Sequence, residues 1–140
     1  MRVVGVDPGL RRTGLALSDA TGTLASPYTA VRGTSPRAQW PALVSLLDAL
    51  VAHDDGVAAI VVGVPVRLDG SPTDMTVHAR DLIERLQRRY ALPVIGLDER
   101  LTSVEAEARL SATERDWRRR KDKLDAAAAA ILLQEYLDGR

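Results

Sequence analysis

Residues 1–19 read M-R-V-V-G-V-D-P-G-L-R-R-T-G-L-A-L-S-D. Val3, Val4 and Val6 make a β-branched run that Asp7 closes just before Pro8-Gly9, a pair that a central strand does not accommodate. The run predicts a buried strand with a carboxylate in it or at its end. Residues 13–18 alternate small and apolar side chains, which predicts a second strand folding back on the first as a hairpin. Ordinary turn chemistry also favours Asp beside Pro-Gly, but a solvated turn Asp needs no apolar strand leading into it.

Outward from this hairpin, residues 23–31 predict a third strand bounded by Gly22 and Gly33, so the chain opens as an antiparallel meander. Ser35-Pro36 then supplies an N-cap and a proline for the first helical position, and Trp40, Leu43, Leu46, Leu47 and Leu50 recur at helical spacing up to His53. Asp54-Asp55-Gly56 stops that helix. Residues 58–64 are continuously apolar, the pattern of a strand buried on both faces, closed by Gly63 and Pro65. This strand is expected in parallel beside the first. Ser71-Pro72 repeats the cap-plus-proline start, and a helix to about residue 90 is expected to bury Val77, Leu82, Ile83 and Leu86. Residues 93–97 predict the next buried strand. Thr102-Ser103-Val104-Glu105 is a capping-box pattern that opens a helix, residues 111–120 read as a polar, mobile loop, and a last helix is expected over about residues 123–137. The order predicts an α/β fold, a mixed five-stranded sheet flanked by helices, in a single domain over residues 1–140.

A chain of 140 residues with 46% hydrophobic and 27% charged residues can bury roughly two thirds of its unfolded surface around one core. With no Phe, two Trp and three Tyr, that core must be built of Val, Leu, Ile and Ala. The absence of Cys excludes disulfides, thiolate metal sites and a thiol nucleophile. The apolar run 126–133 is too short to span a bilayer, and residue 1 leads straight into a strand, so a soluble cytoplasmic protein is expected. Net charge is zero, which argues against a general electrostatic grip on nucleic acid, but residues 115–123 carry a local +4 and Arg11 and Arg12 follow Asp7 closely.

Acids stand at three places where packing does not ask for them. Asp7 ends the first strand, Asp98-Glu99 follows the strand at 93–97, and Asp125 opens the alanine-rich helix. Ligands of sheets with parallel strands collect at the strands' carboxyl ends, so Asp7 and Asp98-Glu99 face one edge, and a helix docked there brings Asp125 to it. Crowded carboxylates raise one another's pKa unless a cation neutralises them. Mg2+ or Mn2+ takes carboxylate oxygens and keeps positions open for water and phosphate, and two such ions about 3.5 to 4 Å apart suit phosphodiester hydrolysis. Taken singly each acid has a plainer role: Asp125 complements a helix dipole, and Glu99 pairs with Arg100. The alanines at 126–130 indicate close helix packing, and His53 and His78 are isolated.

Four blocks in order resemble the RuvX/YqgF family, described as Holliday-junction resolvases or pre-16S rRNA nucleases. V-G-V-D-P-G-L-R-R-T-G-L-A-L-S-D at 4–19 is similar to the family's opening. V-V-G-V-P-V-R-L-D-G-S at 61–71 resembles its loop with D-G-S, D-E-R-L-T-S-V-E-A-E at 98–107 its D-E-R block, and K-D-K-L-D-A-A-A-A-A-I-L-L-Q-E-Y-L at 121–137 its closing helix. The resemblance covers nearly the whole chain. It implies an RNase H-like fold and a metal-dependent nuclease whose catalytic and metal-holding acids are Asp7, Glu99 and Asp125. The expected nucleic-acid contacts are Arg11, Arg12, Arg67, Arg100, Arg118, Arg119, Arg120 and Lys121, with branched DNA or an rRNA precursor as partner and a monomer or homodimer as the assembly. Arg67 stands where the family usually has Asn, and Asp122, three residues before Asp125, is read as solvated among its basic neighbours. Two other classes fit parts of the pattern. A strand ending in D-x-G also opens the phosphate loop of actin-like ATPases and sugar kinases, which need a second, similar domain. A non-catalytic nucleic-acid-binding module would keep the fold without turnover.

Overall fold

The computed structural model describes the backbone of residues 1–100 and 114–140, and the side chains of residues 1–100 and 126–140. Strands β1 (Arg2–Asp7), β2 (Arg12–Ser18) and β3 (Ala25–Arg32) form the meander; helix α1 (Pro36–Ala52), strand β4 (Val57–Val66), helix α2 (Asp74–Arg89), strand β5 (Val94–Arg100) and helix α3 (Glu114–Asp138) follow. One five-stranded sheet has the order β3-β2-β1-β4-β5. β1 pairs antiparallel with β2 and parallel with β4, and β4 pairs parallel with β5.

β1 is central because its side chains serve two cores. Val4 and Val6 join Leu15, Leu43, Leu47, Ile60, Val62 and Leu86 under α1 and α2. Val3 faces the other way, with Ala16, Ala59, Val61, Ala129, Leu133 and Leu137 under α3. α1 starts as its sequence predicts: the Ser35 side chain accepts from Ala38 N, with Pro36 at the first helical position.

Five readings of the sequence are corrected. α2 is capped by Thr73, whose side chain accepts from Thr76 N while Thr76 returns the bond in a capping box, so Ser71-Pro72 lies outside it. Pro72 instead bridges to Val66. Thr76 then turns inward to donate from Oγ1 to the Pro65 carbonyl, in line with buried Ala79 and Leu86, and this phase leaves Val77 58% exposed rather than buried. β4 continues through Gly63 and Pro65 to Val66. Its pairing with β1 reaches only Val62, and past that point the strand is an edge on one side, where proline is admitted. β5 continues through Asp98, Glu99 and Arg100, each paired with β4, so these residues lie within the strand and not after it. Finally, residues 114–120 are helical, not loop. Arg, Lys and Glu are good helix formers, and a run poor in apolar residues is as consistent with a solvated helix as with a loop. The helix expected to open at Thr102 lies outside the described residues.

Candidate active site

Alternation along β1 decides where Asp7 stands. A Cβ built on Gly5 would lie 2.8 Å from Leu133 Cβ and 3.1 Å from the Ala129 carbonyl, so Gly5 faces α3, and Asp7, two residues on, shares that face. Asp7 is half-buried and pairs with Gly14 of β2. On its other side the pairing with β4 ends at Val6 against Val62, the residues just before Asp7 and Gly63.

Gly63 is the position over which Glu99 lies. A Cβ on Gly63 would sit 3.2 Å from Glu99 Oε2 and 3.1 Å from Leu132 Cδ2. The half-buried Glu99 carboxylate therefore leans back along β5 into room left by the missing side chain, on the α3 face and toward the end of β1. Asp98 takes the opposite face: Gly96, two residues before it, packs against Ile83 of α2, and Asp98 is exposed there.

α3 runs antiparallel to β1, since Leu133 packs at Gly5 while Leu137 joins Val3 and Ala59 near the start of the strand. Its C-terminal end is pinned to the β2–β3 hairpin. Gln134 Oε1 accepts from Ala25 N at 2.9 Å, Gln134 Nε2 donates to the Thr23 carbonyl at 3.0 Å, and Arg140 donates to the Gly22 carbonyl at 2.8 Å. Asp125 is helical and lies four residues, one turn, before the buried Ala129, toward the carboxyl edge of β1. Its side chain, like those of Asp122, Arg118, Arg119, Arg120 and Lys121, lies outside the described residues. Among the described residues no three His, Asp or Glu side chains form a metal-holding group; Asp7 and Glu99 are two.

Arg67 and Arg100 are both engaged in shaping one loop. Arg67 donates from Nη1 to the Pro72 carbonyl at 3.0 Å, and Arg100 Nη1 donates to the Leu68 carbonyl at 3.2 Å. Between them Gly70 takes a φ of +84° and donates its N–H to the Arg67 carbonyl. The Ser71 side chain and N–H hold the Asp69 carboxyl below the usual carboxylate range, with Ser71 N at 2.8 Å from Asp69 Oδ1. Arg11 is exposed and its carbonyl accepts from Gly33 N, while Arg12 is half-buried opposite Arg32. On the other face of the sheet, between α1, α2 and the turn after β1, is a cavity of about 280 Å³ lined in part by Pro8, Gly9, Gln39, Trp40 and Leu82. It lies behind the acidic edge, not at it.

A family model described as "RuvX: Holliday junction resolvase" matches residues 1–139. The chain belongs to the RuvX family. Two relatives carry the name "Putative pre-16S rRNA nuclease". The protein of Maridesulfovibrio salexigens is 36% identical over 98% of this chain and 98% of its own length. That of Anaeromyxobacter sp. is 40% identical over 100% and 98%. Solved structures with the same fold are Thermus thermophilus RuvC in complex with a Holliday junction substrate and the fowlpox virus Holliday junction resolvase. The first has a TM-score of 0.56 at 16% identity, covering 100% of this chain and 95% of that one. The second has a TM-score of 0.58 at 14% identity, covering 100% of each. The RuvX chain thus has an RNase H-like fold and belongs to a family of nucleases, hydrolases of phosphodiester bonds. Among the described residues no helix is long and apolar enough to cross a membrane.

Reading the sequence for chemistry missed Gln39, a side chain only 2% exposed, and missed the role of Gly63. Gln39 left a trace, since it shares the helical stripe of Leu43, Leu47 and Leu50, where an amide is out of place.

Proposed function

We propose that this chain is a divalent-metal-dependent nuclease acting on structured nucleic acid, with Asp7, Glu99 and Asp125 as the acidic site at the carboxyl edge of the sheet. The observation that carries the reading is the Glu99 carboxylate held over Gly63 on the face shared with Asp7. A buried glycine in a central strand leaves room that the Cβ of any other residue would take, and here a carboxylate uses it. The donors are hard oxygens, which suit Mg2+ or Mn2+. Such a cation, when bound, polarises a phosphodiester oxygen and offsets the charge that develops on it.

The chain's own residues supply charge and placement. Asp7 and Glu99 put negative charge at neighbouring positions of one sheet edge, and α3 brings Asp125 toward it. Arg67 and Arg100, each fixing the loop that follows β4, set two guanidinium groups beside that edge for the phosphate backbone. Arg118, Arg119, Arg120 and Lys121 follow one another on α3 about 6 to 10 Å of helix rise before Asp125 and add positive charge to that stretch of the chain for the same partner, as Arg11 and Arg12 do near the β1–β2 turn. Backbone contacts of this kind position a nucleic acid without reading its sequence. The names of the relatives favour pre-16S rRNA as substrate, and the family description favours a four-way DNA junction, whose symmetric cleavage would call for a homodimer; in either case the reading is of a cytoplasmic, single-domain protein.

Cleavage assays on an rRNA precursor, a four-way junction, duplex and single strands, with Mg2+, Mn2+ or chelator, test the proposal. Hydrolysis should require the cation and be lost in Asp7→Asn and Asp125→Asn. Undiminished cleavage in chelator or by Asp7→Asn would overturn the metal site, and binding without turnover of any substrate would leave a recognition module in its place.

A further inference from the structure

On the back of the sheet, the turn that follows Asp7 is held by one buried amide. Gln39 Nε2 donates to the carbonyls of Gly9 and Leu10, each at 3.1 Å, with the Gly33 carbonyl at 3.5 Å. Gln39 Oε1 accepts from Thr13 Oγ1 at 2.5 Å, and Thr13 Oγ1 in turn accepts from Gly9 N at 3.4 Å. The orientation of the amide is forced, because two carbonyls can only accept and so must face the NH2 group. Thr13 and Gln39 are each 2% exposed, so the bond between their side chains is buried, while the bonds to the turn are partly buried.

The surroundings close tightly on this amide. A Cβ on Gly33 would lie 2.9 Å from Gln39 Cγ, and Gly33 N donates to the Arg11 carbonyl at 3.0 Å. A Cβ on Gly9 would come within 2.2 Å of the Arg12 carbonyl, so the turn is folded hard against the start of β2. The turn spans Pro8 to Arg11, with Pro8 half-buried and Leu10 exposed. Polar bonds tie it to α1 and β2.

We propose that Gln39 is a positioning residue for Asp7: by fixing the backbone of Gly9 and Leu10 from α1, it holds the end of β1 so that the Asp7 carboxylate stays in place for a divalent cation. The inference rests on Asp7 being part of the acidic site. Groups that orient a metal ligand without touching the metal typically change metal affinity or activity 10–100-fold when lost.

The test compares Gln39→Met, which keeps length and packing but has no amide, with Thr13→Val and Thr13→Ser, and with Asp7→Asn as reference. Mn2+ affinity is measured by isothermal titration well below the melting temperature, alongside the Kd for nucleic acid, the single-turnover rate, and amide exchange at Gly9 and Leu10 in chelator. Gln39→Met should bind Mn2+ at least tenfold more weakly, cleave correspondingly more slowly, keep its nucleic-acid Kd, and exchange the turn amides faster. Thr13→Val should lose part of the affinity and Thr13→Ser restore it. A Gln39→Met protein that melts lower but binds Mn2+ as the wild type does would show a purely structural amide and overturn the inference. Should Gln39→Met fail to fold, equal Mn2+ affinity in Thr13→Val and wild type would overturn it. If Asp7→Asn itself leaves Mn2+ binding unchanged, the acidic site fails and takes this inference with it; if Asp7→Asn abolishes binding while Gln39→Met does not, only the positioning role fails.

Discussion

Gly63→Ala separates the acidic edge from the fold that carries it. The new Cβ would stand 3.1 Å from Leu132 Cδ2 and 3.2 Å from Glu99 Oε2, so each must retreat by two to three tenths of an ångström to reach ordinary contact. Both atoms end flexible side chains, which puts the crowding near the low end of the ~1–3 kcal/mol that overpacking costs. Replacing a mid-strand glycine returns about 0.5–1 kcal/mol of backbone entropy. The two nearly cancel, and stability in chelator should stay within about 1 kcal/mol of wild type. Glu99 Oε2, however, is pushed from its place over the strand by that contact, so metal affinity should fall while stability holds. Gly96→Ala is the control, since its Cβ meets Ile83 Cδ1 at 3.0 Å and Val64 Cγ2 at 3.3 Å on the other face, away from Glu99. Urea unfolding in chelator and Mn2+ titration of both variants give the comparison. Equal Mn2+ affinity for Gly63→Ala and wild type, or an equal loss in Gly96→Ala, would refute the assignment of that space to a metal ligand.

Two further outcomes follow from the packing. Leu133 is fully buried against Gly5, so Leu133→Ala should cost about 2–5 kcal/mol in urea unfolding, the range for a buried leucine truncated to alanine. Asp48 accepts from Arg89, with Nη2 at 2.5 Å, and from the Tyr90 hydroxyl at 2.6 Å, and these bonds, Arg89's first, hold its carboxyl down at about 2. Because the folded value lies below the unfolded one, near 4, Asp48 contributes stability that is fully present above pH ~4 and lost as pH falls through about 2. Asp48→Asn should flatten that part of the profile, measured as the change in urea midpoint between pH 5 and pH 2; an unchanged slope would remove the pair from acid unfolding.

Much of the architecture was legible because β1 announces itself twice. Its β-branched run requires burial on both faces, which requires helices on both, and the alternating meander and the apolar run at β4 supply its neighbours. What was not legible has particular causes. The end of β5 was misplaced because Asp98 and Glu99 look like a strand's terminus, when a strand at the sheet edge can carry charge on either face in alternation; only the register shows that Glu99 turns toward α3 and Asp98 away from it. The start of α3 is hidden in the sequence because dense charge without apolar residues is shared by loops and solvated helices. Val77 is expected inside because it is apolar, but at about 100° per residue it lies opposite Leu86, and the polar Thr76 takes the inward position beside it. The proposed acids can be picked out from where they sit in the chain, whereas Gln39 and Gly63 meet the Gly9–Leu10 turn and the Glu99 carboxylate through neighbours distant in sequence, and no local pattern states those partners.

The alanine run acquires a specific purpose from the same geometry. Close helix packing was its expected role, and the structure shows Ala126 and Ala129 fully buried. The Ala129 carbonyl lies 3.1 Å from where a Cβ on Gly5 would be, so at that point a helix backbone rests almost directly on a strand backbone. Such an approach needs a glycine below and a small residue above, and a larger side chain at either would lift α3 off the sheet. One helical turn separates Ala129 from Asp125, and two strand residues separate Gly5 from Asp7, distances of about 6 and 7 Å. Because α3 runs antiparallel to β1, both steps lead toward the same edge. The separation between helix and strand set at Gly5 and Ala129 is therefore carried to the level of the two acids. Small residues buried one turn away from the proposed acidic site set how near the backbone that carries Asp125 can come to the strand that carries Asp7.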